Sequence, residues 1–126
     1  GQVMAITFNT DRIQGLQGTT INGVYGRIQS VTVKKYDAEP EFDVSASFKI
    51  IYDVFLHASA DIRNAAGEYP SWPNMLRSRN IDHFTATVTA DQMNAADANC
   101  YTLAYADLKA KLAAGDSPIA TSIADA

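Results

Sequence analysis

The sequence predicts a small α+β domain, an antiparallel β-sheet packed against one C-terminal amphipathic helix, and three patterns carry that reading. Phe42, Val44, Ala46, Phe48, Ile50, Tyr52, Val54 and Leu56 are apolar or aromatic on one parity, while Glu41, Asp43, Ser45, Ser47, Lys49 and Asp53 are polar on the other. Strict period two over that length is a strand with one buried face. Phe84, Ala86 and Val88 alternate with Thr85, Thr87 and Thr89, a second β-branched strand. Met93, Ala96, Cys100, Ala104, Leu108 and Leu112 then recur at three- and four-residue steps, the stripe of a helix of about five to six turns.

The remaining elements follow in order. Met4, Ile6 and Phe8 alternate with Ala5, Thr7 and Asn9 and predict a short edge strand. Residues 9–20 are polar, carry Gly15 and Gly18, and read as a loop. Residues 21–36 are β-rich, but their apolar phase passes from Val24 and Ile28 to Val31 and Val33. A change of parity requires one extra residue, so a β-bulge is expected near Gln29 and Ser30. Pro40 marks a turn before the strand at residues 41–56, because it cannot donate to a ladder. Residues 58–80 are longer than the usual connection of about 4–6 residues and form a functional loop or a helical turn. Thr89 and Gln92 have capping-box spacing at the head of the helix, predicted over residues 90–113. Gly115 is its stop. The domain therefore spans residues 1–115, and residues 116–126, small and polar, are read as a tail that is flexible or bound to a partner.

Composition limits function. Apolar residues make up 47% and charged residues 19%, as in a globular domain of 126 residues. A net charge of −4, with bases scattered among acids, argues against a nucleic-acid partner. No apolar run is long enough to span a bilayer. The single cysteine, Cys100, has no partner for an intramolecular disulfide and falls on the apolar stripe, where it is read as a buried, inert thiol.

The residues needed for catalysis do not converge. His57 and His83 are the only histidines available as a base. Asp53, His57 and Asp61 lie four apart, but on a strand such positions stand about 13 Å from one another, too far for one metal. Glu39, Glu41 and Asp43 read as solubilising charges around a turn. The chain is thus expected not to be an enzyme and to carry no cofactor and no metal. The alternative is a small ligand-binding or enzyme domain, with a pocket between sheet and helix lined by Tyr101, Tyr105 and Phe84.

Three segments, in the same order, resemble a group of short tail-associated structural proteins of long-tailed bacteriophages. These are Tyr25-Gly26-Arg27-Ile28 leading into Lys34-Lys35, the run Phe55-Leu56-His57-Ala58-Ser59-Ala60-Asp61-Ile62-Arg63, and Ala104-Tyr105-Ala106-Asp107-Leu108-Lys109. The resemblance covers residues 21–112. It implies a virion component of tail, baseplate or neck, made in the host cytoplasm and working through contacts with copies of itself and other virion proteins, as a homo-oligomer in the particle. The connection at residues 67–79 and the tail at 115–126 exceed the family pattern.

Ile51 and Phe55 make the far end of the long strand apolar on its second face, which demands a further cover. Tyr69 and Trp72 form an aromatic loop stiffened by Pro70 and Pro73. Ile51, Phe55, Tyr69 and Trp72 are therefore the predicted interface. Trp72→Ala is expected to weaken assembly by about 2 kcal/mol or more and to leave monomer melting nearly unchanged. A sharp fall in melting temperature with association intact would assign Trp72 to the core instead.

Overall fold

Aromatic and β-branched residues build most of the molecule into one antiparallel sheet. The computed structural model describes residues 4–13, 18–57, 59, 72–73, 84–95 and 99–126. Its strands are β1 (Ile6–Thr10), β2 (Ile21–Tyr36), β3 (Ser47–His57), β4 (Trp72–Pro73), β5 (Phe84–Thr89) and β6 (Thr121–Asp125). They lie in the order β4-β3-β2-β1-β6, with β5 also paired to β3. The sheet curls into half a barrel, and the class is α+β. Two helices, α1 (Ala90–Asn94) and α2 (Cys100–Ala113), connect β5 to β6.

One face of the sheet holds the core. Ile6 and Phe8 of β1, Val24 and Ile28 of β2, and Ile50, Tyr52, Val54 and Leu56 of β3 are buried with Ala104, Tyr105, Leu108 and Leu112 of α2. Gly26 is in this row, where a side chain would press on its neighbours. A Cβ there would stand 3.1 Å from Phe8 Cε1 and 3.4 Å from Leu56 Cδ2.

The bulge falls where the parity change places it. Ile28 pairs with Val54 and Ser30 with Asp53, which leaves Gln29 as the extra residue. The capping box also forms, with Gln92 N–H donating to Thr89 Oγ1 at 3.1 Å and Thr89 N–H to Gln92 Oε1 at 2.8 Å.

Five expectations are corrected. The single helix over residues 90–113 is two, because the chain turns extended at Ala95 (ψ 146°) and restarts at Asn99. The Asn99 side chain accepts from Thr102 N–H at 2.9 Å, and asparagine is more stable as a cap than inside a helix. The helix is not C-terminal either, since β6 follows it. Residues 121–125, read as part of a tail, pair with β1, and Ala126 N–H donates to Ala5 O at 2.9 Å. Consequently β1 is not an edge strand but lies between β2 and β6. The pattern missed β6 because its own residues are mostly exposed; what anchors the segment is Ala120, buried, and the backbone of Ile119, which accepts from the buried Thr10 hydroxyl at 2.6 Å. Finally, the long strand starts at Ser47, not at residue 41. Pro40–Phe42 form a short 3-10 turn, and Phe42 and Val44 are exposed rather than buried.

One side chain joins helix and sheet in an unusual place. The Tyr105 hydroxyl accepts from Ile28 N–H at 2.8 Å and donates to Met4 O at 2.8 Å. Ile6 pairs with Gly26, so Met4 and Ile28 stand where the next β1–β2 pair would form. The phenol replaces that pair's direct bond with a two-step bridge. Tyr105→Phe would leave a buried N–H unbonded, and the expected loss is about 1–3 kcal/mol, read as a lower urea midpoint with unchanged slope.

Candidate functional site

The second face of the sheet carries two of the predicted interface residues, Ile51 and Phe55. Phe55 stands across from Arg27, and Tyr25 across from His57. The Arg27 guanidinium lies 5.1 Å from the centre of the Phe55 ring, and Arg27 Nε donates to His57 Nε2 at 3.2 Å. An imidazole nitrogen that accepts from a guanidinium is unprotonated. Tyr25 meets His57 edge-on at 6.1 Å, and Ser30 Oγ donates to Asp53 Oδ2 at 3.0 Å. Ile51 and Phe55 share this face half-buried, but Asp53 lies between them and they are about 13 Å apart. In β4, Trp72 pairs by backbone with Leu56, and Pro73 with Phe55. Tyr69 and most of its loop lie outside the described residues, as does His83.

A different apolar surface, absent from the sequence reading, stands at the end of the β2–β3 hairpin. Among the described residues β1 pairs with β2 as far as Gly26, and residues 30–36 pair with β3 on one side. Among the described residues this arm carries four of the six exposed large apolar side chains: Val33, Tyr36, Phe42 (72% exposed) and Val44. Its tip is ordered by its own backbone. Glu39 and Val44 exchange two bonds of 2.9 and 3.1 Å, and Asp43, at φ 59°, donates its N–H to Pro40 O at 3.1 Å. Phe42 is thus held outward on a hydrogen-bonded turn. The sequence signal was the cluster Glu39, Pro40, Glu41 and Asp43, which belongs to a turn and not to the start of a strand.

The other two exposed large apolar residues, Met4 and Tyr101, line a cavity of about 290 Å³ with Ile28, Asn99, Cys100, Thr102 and Tyr105. Tyr101 and Tyr105 were expected in a pocket, whereas Phe84 is not part of this one. Phe84 stacks on Tyr52 at 5.4 Å in the core. Cys100 opens the helix and is half-buried at the cavity, not enclosed midway along a stripe. None of the lining residues is charged.

The densest polar cluster runs between helix and sheet. Tyr52 O–H donates to Asp107 Oδ2 at 2.6 Å, and Lys111 Nζ donates to the same carboxylate and to Thr85 O. Each of these groups is engaged by another within the fold, so the cluster acts as a brace. Among the described residues no group of three or more His, Cys, Asp or Glu could hold a metal ion, and no helix is long and apolar enough to cross a membrane.

No family model, curated protein or solved structure matches this chain.

The brace has a pH signature. Burial, and then the Asp107 carboxylate that takes its hydrogen bond, push Tyr52 above the ordinary phenol range. A raised value in the folded chain means that the contribution is complete below the unfolded value near 10 and is lost as pH rises beyond it. Urea midpoints measured from about pH 9 to 11 should fall for the parent chain and fall less steeply for Tyr52→Phe. Equal slopes would remove Tyr52 from the alkaline limb.

Proposed function

We propose that this chain is a structural subunit of a bacteriophage particle, a component of tail, baseplate or neck that acts by docking on copies of itself and on other virion proteins. The observation that carries the reading is the hairpin arm. An aromatic residue held outward on an ordered turn, on an arm that carries three further exposed apolar side chains, has no role in the core of its own domain. Large exposed apolar side chains gathered on one arm of a folded domain support a protein contact there. The ordered turn also reduces the conformational freedom that docking must remove. The three-segment resemblance over residues 21–112 supports the same class.

In this reading the domain is a two-layer α+β unit in which α2 closes the sheet. Ile51, Phe55, Tyr69 and Trp72 then form a second contact surface, with no cofactor and no chemistry of its own. The protein is made in the host cytoplasm and resides in the virion, as a homo-oligomer in the assembled particle, with neither nucleic acid nor membrane as partner.

One observation favours the alternative of a ligand-binding domain. The apolar cavity beside Tyr101 and Tyr105 is of a size to take a small apolar molecule. Its wall offers no charged acid or base, which weighs against an enzyme.

Purified particles decide between these readings. The chain is expected to band with infectious particles in a density gradient at a fixed copy number, detected by quantitative peptide mass spectrometry. A chain found only in the unassembled lysate fraction is not a virion component.

A further inference from the structure

Taking the assembly reading as its basis, we propose that Phe42 of one copy seats in the cavity beneath Tyr101 of the next, joining copies head to tail. All six exposed large apolar side chains among the described residues fall at these two places. Val33, Tyr36, Phe42 and Val44 are on the arm, and Met4 and Tyr101 are at the cavity. The cavity, about 290 Å³, lies just under the range for small-molecule sites, roughly 300–1,000 Å³, and has room for an aromatic ring.

Charge complements shape. The arm tip from Tyr36 to Phe48 carries Asp37, Glu39, Glu41 and Asp43 and no base. The cavity wall holds the first turn of α2, a 14-residue helix with no acid in that turn. Asn99, the neutral cap, already accepts from Thr102 N–H, and the positive end of the backbone dipole favours Glu41 and Asp43 beside the incoming ring. Ile28, in the cavity wall, and Tyr36, at the base of the arm tip, are eight residues apart on β2, about 26 Å of strand. The two surfaces of one chain thus stand well apart and meet between copies. A knob and a pocket at different places make a heterologous contact, which propagates as a ring or a filament.

Cys100 lines the cavity and is the chain's one cysteine, so it reports the contact directly. The full chain carrying Phe42→Cys, oxidised with copper phenanthroline, is expected to give a reducible ladder of oligomers. Peptide mapping should find Cys100 joined to the introduced thiol at position 42. The ladder should collapse when Cys100→Ser is added, and Val33→Cys should not link to Cys100. In sedimentation, Phe42→Asp should weaken self-association about tenfold or more with melting unchanged. Links between two copies of position 42 alone, or oligomers without any 42–100 link, overturn this contact while leaving assembly through another surface intact. A chain that stays monomeric at millimolar concentration and forms no 42–100 link overturns it as well. Absence from purified particles is the separate result that removes the assembly reading itself.

Discussion

The Tyr105 hydroxyl occupies the point at which β1 and β2 stop pairing, and much of the molecule depends on it. Beyond Ile6 and Gly26 a direct ladder would bring Met4 against Ile28. The phenol stands between their backbone groups and satisfies both. A buried N–H or C=O without a partner is costly, so the strands can separate here only because a side chain from α2 replaces the missing bonds. That separation ends the support β1 gives to β2 and lets the rest of β2 run on as an arm. It also makes space beside Ile28, Tyr101 and Cys100 for the cavity. The bulge at Gln29, immediately beyond, turns the strand as it leaves the core.

Sequence periodicity revealed whatever is buried on one side. Ile50, Tyr52, Val54 and Leu56, the bulge, the capping box and the stripe Ala104, Leu108 and Leu112 all follow from spacing, because a continuous core enforces the period. The reading failed where a segment owes its structure to backbone bonds or to a single side chain. β6 is mostly exposed and carries little apolar alternation of its own; its place is set by pairing with β1. The break before α2 comes from one asparagine accepting one hydrogen bond. Phe42 and Val44 kept the strand's parity before the strand had begun, and period two cannot distinguish an apolar row that is buried from one presented to solvent. Of the candidate surfaces, the sheet face with Ile51 and Phe55 was legible, while the arm and cavity were not, since both depend on where β1 ends.

The two functions of apolar surface are separated along one hairpin. Toward its root the side chains of β2 and β3 are shielded by β1 and by the helix residues of the core, while β5 pairs with Ser47–Tyr52 in the outer half of β3. Toward its tip Val33, Tyr36, Phe42 and Val44 are left to solvent, with acids at Asp37, Glu39, Glu41 and Asp43 around them. Such charges keep an exposed apolar tip soluble and discourage indiscriminate strand pairing. The opposite margin of the sheet is blunted in another way. Ser122 has a left-handed φ of 53°, and the β1–β6 register breaks between Thr7 and Asn9. An irregular outer strand is a poor template for further strands, which leaves the arm as the more available end of the sheet.

The pairing of β1 with β6 also dictates an order of events during synthesis. Thr10 bonds to the carbonyl of Ile119, 109 residues later in the chain, and Ala5 accepts from Ala126. Contacts of such long sequence separation form slowly, because the loop between them must close before they contribute. The β2–β3 hairpin and its β5 neighbour can pair as they leave the ribosome, but β1 gains its second partner only after the helix has been made. Until then one side of β1 remains an open strand edge, and a nascent chain held at that stage is the form most exposed to chaperones and to misassociation.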